Sequence, residues 1–295
     1  MHEFKTHHPI VNFIYFLFVT VFAMFFMHPL CLAISIVTSF AYSVILNGKK
    51  ALKFNILYLL PMMLMTAILN PVFNHAGITV LTYLPSGNPL TAESIIYGAA
   101  AAVMLASVIC WFSCFNTIMT SEKYMYLFGK IIPSLSLILS TILRFIPKFK
   151  NDIKEITNAQ KCLGKSFTGA SFIKKIKLSS TIISALITCS LENAIDTADS
   201  MKSRGYGVSK RTAYSNFSFG RRDALTLFFI ILEAVYVIIG AKYNKISFTY
   251  YPKMTGADFS YYGVSIFLVY LLLCITPIII ELREEMRWKA LKSKI

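Results

Sequence analysis

Apolar residues gather in six long blocks that are separated by short polar connections. Each block has the length and the near absence of charge that a helix needs to cross a bilayer. The blocks are Ile10–Met27, Leu30–Leu46, Phe54–Leu69, Ser94–Ile118, Leu225–Gly240 and Gly263–Ile280. The pattern predicts an all-α, polytopic membrane protein with about six transmembrane helices.

The segment between the fourth and fifth blocks has a different pattern. Ile131–Leu143 is too short to cross a bilayer, and an apolar stripe at heptad-like spacing continues from it to Leu163-Gly164. After a basic linker, Lys165–Lys177, the stretch Leu178–Gly207 repeats apolar residues at steps of three and four. Two amphipathic helices are therefore predicted, and they divide the chain into residues 1–120, 121–222 and 223–295.

Glycines punctuate the ends of both amphipathic stretches. Gly205 follows Ser203 and Arg204, and a glycine at this place commonly ends a helix in the left-handed conformation. Arg204 also puts a cation at the negative end of the helix dipole. An arginine is thus predicted at the tip of a long, rigid helix.

Two prolines and one polar segment predict interruptions in the amino-terminal half. His28-Pro29 should separate the first two spans in a tight hairpin, and Pro61 should kink or break the third. Asn47–Lys53 is interpreted as a loop, and the small residues from Gly98 to Ala102 as a site of close helix packing.

Composition and charge support a membrane location and fix an orientation. The chain is 56% hydrophobic and only 15% charged, so its apolar surplus must face lipid. The net charge of +15 is concentrated between Ser121 and Arg222, with seventeen Lys or Arg against six Asp or Glu, whereas Asn70–Thr91 contains neither Lys nor Arg. By the positive-inside rule, the basic segment and both termini are cytoplasmic and the Asn70–Thr91 loop is external.

The basic residues lie between apolar blocks without a nucleic-acid-binding motif, which argues against a nucleic-acid partner.

The cysteines and histidines favour packing over chemistry. Cys110 and Cys114 share a helix face without further ligands at metal-site spacing, so they are predicted to pack as small apolar residues. His2, His7 and His8 are interpreted as part of a solvated tail. The first apolar block lacks a small-residue cleavage site and is interpreted as a retained helix rather than a signal peptide.

Three motifs carry a resemblance to a known family. Met201-Lys202-Ser203-Arg204-Gly205-Tyr206-Gly207 resembles the Ala-Arg-Gly signature that closes a coupling helix in the transmembrane T component of energy-coupling factor (ECF) transporters. Ala159-Gln160-Lys161-Cys162-Leu163-Gly164 is similar to the first copy of that signature, and Leu143-Arg144-Phe145-Ile146-Pro147 to a recurrent family segment. The motifs follow the family's order, and the hydrophobic layout extends the resemblance over nearly the whole chain.

The resemblance implies a function and a set of partners. It implies a non-catalytic subunit of an importer for a vitamin or a transition-metal ion, which works with two cytoplasmic ABC-type ATPase subunits and a small substrate-binding membrane (S) component in the cell membrane. The sites are then Ser203-Arg204-Gly205 and Cys162-Leu163-Gly164, with Arg204 inserted between acidic side chains of an ATPase. ATP would be bound by the partners, because the sequence has no GxxxxGK[ST] phosphate-binding loop, and no cofactor is expected.

The first signature departs from the family pattern, since Leu163 stands where the family usually has arginine. Either the partner offers an apolar pocket there, or Lys161 or Lys165 supplies the cation, or the two ATPase subunits are unequal. For Arg144 two interpretations stay open, snorkelling to lipid headgroups and a family-specific role.

A polytopic membrane enzyme, such as an intramembrane protease or a lipid transferase, is the alternative function. Such an enzyme needs several ionisable or nucleophilic side chains that converge at membrane depth. The predicted spans offer Glu233 alone for this purpose.

Overall fold

A computed structural model describes residues 3–83, 88–129, 133–169, 171–208, 217–243, 246–256 and 260–292. These residues are almost entirely helical. The helices are α1 (Glu3–Thr6), α2 (Pro9–Phe25), α3 (Pro29–Asn47), α4 (Lys49–Phe54), α5 (Leu60–Phe73), α6 (Ala92–Ile118), α7 (Ser121–Gly129), α8 (Pro133–Cys162), α9 (Phe172–Ser203), α10 (Arg221–Lys242) and α11 (Tyr261–Lys292). The predicted fold class, all-α and polytopic, is confirmed.

The chain forms two compact units. The first unit consists of Met1–Tyr124 and Phe217–Ile295, and the second unit is Met125–Asn216. The first unit contains α1 to α7 except the end of α7, together with α10 and α11, and the second unit contains α8 and α9.

Six described helical segments are long and apolar enough to cross a bilayer. Four of them are α3, α6, α10 and α11, and a fifth is the continuous segment Lys49–Phe73. These five coincide with predicted spans. The sixth is α9, which the sequence pattern assigns to an amphipathic helix, while the first predicted span, Ile10–Met27, is the shorter apolar helix Pro9–Phe25.

The prediction that Asn47–Lys53 forms a loop is wrong. Gly48, with φ of 55°, ends α3, and α4 begins at once at Lys49. Lys49, Lys50 and Lys53 are exposed, so a helix satisfies its backbone polar groups while the ammonium groups stay outside the packed interior.

Pro61 distorts the third span without ending it. The π-helical turn Asn55–Leu59 lies just before this proline, and it joins α4 to α5 in one continuous helical segment. A π turn accommodates the backbone hydrogen bond and the space that a proline ring takes from the preceding turn.

The small residues of α6 form a close helix contact, as predicted. A Cβ atom on Gly98 would lie 3.0 Å from the carbonyl oxygen of Ala67 and 3.1 Å from Pro71 Cδ, both on α5. Further along the same face, Ala102 and Ala106 are buried. The α5–α6 contact therefore depends on residues without large side chains.

A short antiparallel hairpin in the Asn70–Thr91 loop was not predicted. Strand β1 (Val80–Tyr83) pairs with β2 (Pro89–Thr91), and α6 follows directly. Glu93, in the first turn of α6, accepts hydrogen bonds from the backbone N–H and the hydroxyl of Thr79, which fasten the hairpin to the helix. Residues 84–87, between the two strands, lie outside the described residues.

Aromatic and sulfur-containing side chains fill the core of the first unit. Trp111 is fully buried, and its indole N–H donates to Ser35 Oγ at 3.1 Å. The hydroxyl of Tyr15 donates to the carbonyl of Cys274 at 3.3 Å. Cys110 and Cys114 are buried free thiols in this interior.

In the second unit, α8 is one continuous helix. The apolar stripe predicted to continue from Ile131–Leu143 to Leu163-Gly164 thus lies on a single helix that ends at Cys162, and Ile131 lies outside the described residues. The last residues of the predicted linker, from Phe172 onward, already belong to α9. The buried side chains Leu178 and Ile182 anchor the first half of α9.

Candidate functional site

Arg204 lies at the C-cap of α9, where the chain closes in a Schellman motif. The N–H of Tyr206 donates to the carbonyl of Met201 and the N–H of Gly205 to the carbonyl of Lys202, each at 3.0 Å. Gly205 has a φ of 76°, the left-handed conformation that this motif requires and that glycine adopts without steric cost. The predicted helix end is confirmed to the residue.

Leu163 lies at the C-cap of α8 in a motif of the same geometry. The N–H of Lys165 donates to the carbonyl of Gln160 and the N–H of Gly164 to the carbonyl of Lys161, each at 3.0 Å. Gly164 has a φ of 74°. The two sequence signatures thus form one repeated structural device, with leucine in the first copy at the position of arginine in the second.

Both caps present their side chains outward. Leu163 is 69% exposed, and Cys162, Ser203 and Arg204 are exposed as well. The hydroxyl of Ser203 donates to the carbonyl of Ser200 at 3.0 Å, within its own helix. In the described part of the chain, the guanidinium of Arg204 has no hydrogen-bond or ion-pair partner. An exposed guanidinium at a rigid helix end is available to an acidic partner.

A cleft of about 450 Å³ brings Arg144 and Arg204 together within the second unit. Arg144 comes from α8 and Arg204 from the end of α9, and Asp196 of α9 lines the same cleft. Arg144 also lies over the ring of its neighbour Phe145, 5.5 Å from the ring centroid. The cleft therefore offers two cations and one carboxylate to a bound group.

Asp196 belongs to this cleft but was not predicted as a site residue. The signal was present in the sequence, because Asn193, Thr197, Ser200 and Arg204 recur at steps of three and four and form a polar stripe along α9. All of them line the cleft.

A second cleft, of about 560 Å³, adjoins the Leu163 cap. Its lining includes Gly164 and Lys165 and, from the first turns of α9, Lys174 and Lys177. Of the two lysines predicted to replace the missing arginine, the structure places Lys165 in this cleft, whereas Lys161 does not line it.

The first unit contains a buried polar cluster that the sequence pattern does not indicate. His7 and His8 are 2% and 4% exposed, so the prediction of a solvated tail is wrong for both; His2 lies outside the described residues. His7 Nδ1 lies 2.7 Å from Asp223 Oδ1, and the N–H of His8 donates to the same oxygen. Burial lowers the pKa of His7, against the opposing effect of Asp223. The cluster binds the amino-terminal segment to the start of α10.

Lys123 adds a buried cation from α7. Its ammonium donates to the carbonyl of Lys5 at 2.6 Å, and burial lowers its pKa to about 8. Among the described residues, no group of three or more His, Cys, Asp or Glu side chains is arranged to hold a metal ion.

Comparison with known proteins identifies several relatives. The chain is similar to "Energy-coupling factor transporter transmembrane protein EcfT" of Lactococcus lactis subsp. cremoris, with 38% identity over 112 residues, or 38% of this chain and 42% of that protein. The protein of the same name from Lactobacillus helveticus is 34% identical over 118 residues, 39% of this chain and 43% of that protein. The one from Bacillus selenitireducens is 28% identical over 224 residues, 71% of this chain and 82% of that protein. The matches to the first two relatives thus span about two fifths of those proteins.

A family model gives the broader result. The model described as "CbiQ: Cobalt transport protein" matches residues 1–214, which is more than half of the chain. The resemblance seen in the three motifs is confirmed at the level of the family. By this match, the chain belongs to the CbiQ cobalt transport protein family, whose members are components of transporters.

Proposed function

We propose that this multi-pass membrane protein is the energy-coupling transmembrane subunit of an ECF-type importer for a vitamin or a transition-metal ion. In this role it hydrolyses nothing itself. It transmits the motion of two cytoplasmic ABC-type ATPase subunits to a small substrate-binding membrane component. The observation that carries the proposal is the pair of Schellman caps, which hold Leu163 and Arg204 at equivalent positions of two long helices.

The arginine at the second cap fits a docking role. Its fork can bind a carboxylate through two parallel hydrogen bonds, and it keeps its charge at any physiological pH. The cap makes the last turn of α9 rigid, so that a force applied to Arg204 is transmitted along the helix. Arg144, in the same cleft, adds a second cation for the same acidic partner.

We place α8 and α9 on the cytoplasmic side, although α9 is long and apolar enough to qualify as a span. The uncharged part of α9 runs from Leu178 to Leu191, between Lys177 and Glu192. At about 1.5 Å per residue this part is roughly 21 Å long, shorter than the hydrocarbon layer of about 30 Å. Spanning would bury Glu192, Asp196 or a lysine in lipid at a cost of several kcal/mol.

The orientation follows from charge. With residues 121–222 as a cytoplasmic platform in the cell membrane, the first apolar helix, α2, is a span as well, and six spans place both termini in the cytoplasm. The strongly basic segments then all lie on one side. The hairpin β1–β2 lies on the external side.

Co-expression with candidate ATPases tests the proposal. The tagged chain is purified from membranes with the ABC-type ATPases of the same cell, and ATP hydrolysis is measured in the purified material. Hydrolysis should appear when the ATPase subunits are bound and should be absent from the chain alone. Purified chain that never retains an ATPase subunit would contradict the proposal.

A further inference from the structure

The cleft beside the Leu163 cap is strongly basic. Lys165 comes from the cap itself, and Lys174 and Lys177 come from the first turns of α9. All three side chains are exposed, and in the described residues none of their ammonium groups has a hydrogen-bond or ion-pair partner. Like charges that surround a cleft of about 560 Å³ repel each other, so an anion in the cleft would relieve that repulsion.

Lysines at the start of α9 interact unfavourably with the dipole of that helix. The amino-terminal end of a helix favours acidic residues, yet the first turn of α9 contains none, and Lys174, Lys175 and Lys177 follow at once. Charge that a helix carries against its own dipole is better explained by a function than by stability.

The two caps can be compared directly. At the Arg204 cap, the cleft contains two arginines and one aspartate. At the Leu163 cap, the cap residue is apolar, and the described lining of the adjoining cleft contains three lysines and no acidic residue. Each cap is therefore accompanied by a cationic cleft, although the first cap has lost its own cation.

We infer that Lys165, Lys174 and Lys177 form the docking contact that replaces the missing arginine, and that they bind an acidic segment of the ATPase subunit at the Leu163 cap. The inference rests on the proposed function and specifies which residues bind the ATPase at the Leu163 cap, where the signature lacks its arginine. An ammonium is a point charge with three donors and no fork, so this contact selects carboxylates by charge more than by geometry. Association at this end should consequently weaken more steeply with salt than association at the Arg204 end.

Removal of two of the charges tests the inference. Lys174→Gln/Lys177→Gln is compared with Lys150→Gln/Lys154→Gln, which removes the same charge from exposed positions of α8 that do not line the cleft. Each chain is co-expressed with the ATPase subunits, and the affinity of the complex is measured in nanodiscs of phosphatidylcholine. We expect the cleft variant to bind about five-fold or more weakly, and the control to stay near the wild type.

A third variant adds the residue that the family usually has. Leu163→Arg in the Lys174→Gln/Lys177→Gln background should restore most of the affinity, because a guanidinium at the cap supplies the lost cation. This rescue separates docking from a general loss of charge or of folding.

Several outcomes would overturn the inference. Wild-type affinity of the cleft variant, an equal loss in the α8 control, or a failure of Leu163→Arg to rescue would each exclude a lysine contact with the ATPase. The same affinities are measured in nanodiscs that also contain anionic lipid, and a loss confined to these would assign the cleft to lipid headgroups instead. If the wild-type chain binds no ATPase, the proposed function fails. If the wild-type chain binds the ATPase and the lysine variants bind it equally well, this inference fails alone.

Discussion

Leu163 and Arg204 occupy the same position of two helix caps with the same hydrogen-bond pattern, one at the end of α8 and one at the end of α9. Each is followed by a glycine in the left-handed conformation. The geometry of the cap is therefore kept while the chemistry of its side chain differs. A partner that reads both caps must accept an apolar residue at one and a cation at the other.

The cap at Gly205 depends on its backbone conformation. Gly205→Ala should cost about 1 kcal/mol and fray the last turn of α9, because a Cβ atom is disfavoured at a φ of 76°. No atom of the described residues lies within 4 Å of a Cβ built there, so the cost comes from the backbone conformation. Hydrogen exchange of the amides of the last turn measures the fraying.

Gly205→Asn is the matched control, since asparagine tolerates the left-handed conformation. It should protect these amides nearly as well as glycine. Equal exchange rates for the alanine and asparagine variants would exclude a conformational requirement at this position.

The α5–α6 contact should not tolerate a large side chain at Gly98. Gly98→Leu would force a Cβ atom to within 3.0 Å of the Ala67 carbonyl oxygen, and overpacking of this kind costs about 1–3 kcal/mol. The thermal midpoint of the protein in detergent should fall. Ala99→Leu places the same side chain at the neighbouring exposed position and should leave the midpoint unchanged. An equal fall in both variants would show that close packing at Gly98 is not the cause.

The buried His7 should make the first unit less stable in acid. Its pKa is lowered in the folded protein, so the unfolded chain takes up a proton first as the pH falls below about 6.5. Asp223 and Glu3 oppose this effect, and Arg222 adds to it. Stability should therefore be complete above this pH and should decrease as the pH falls below it.

His7→Asn removes the titrating group at a similar size. Thermal midpoints measured at several pH values should fall less steeply with acid in this variant than in the wild type. Identical slopes would show that His7 does not control the acid sensitivity.

Much of this structure could be predicted from local sequence patterns, whereas contacts between residues far apart in the sequence could not. The cap at Gly205 and the small-residue contact at Gly98 follow from residues that lie next to each other in the chain. The prediction that His7 is solvated was wrong because its partner, Asp223, is 216 residues away, and no residue near His7 in the sequence indicates that contact. Lys49–Phe54 was misjudged because its lysines suggested a loop, although exposed lysines are good helix formers.

The candidate site divides in the same way. Arg204 and Leu163 were found because the signature is a continuous run of residues. The polar stripe of α9 that includes Asp196 was visible in the sequence as well. The contributions of Lys174 and Lys177 depend on how α8 and α9 pack, so they could be identified only from the folded second unit.

The proposed orientation has a direct chemical test. Single-cysteine proteins are made in a background without other cysteines, one with Thr82→Cys in the exposed strand β1 and one that keeps the exposed Cys162. An impermeant maleimide should label Thr82→Cys on intact cells and Cys162 only after the membrane is opened, because the proposed orientation places the basic segment in the cytoplasm. Labelling of both from outside would contradict the topology.

Charge reversal at Arg204 addresses the docking role. Arg204→Glu places like charges against each other at the proposed contact, a loss of about 2 to 5 kcal/mol in association. Arg204→Lys keeps the charge without the fork, so it should retain part of the affinity and lose more of it at high salt. Lys202→Glu reverses a charge at an exposed position of the same helical turn and serves as the control.

The most direct measurement is the amount of ATPase subunit that co-purifies with Arg204→Glu and with Lys202→Glu at matched membrane expression. We expect Arg204→Glu to lose the ATPase and Lys202→Glu to keep it. Wild-type recovery of the ATPase with Arg204→Glu would show that Arg204 merely caps α9, and would contradict the assignment of α9 as a coupling helix.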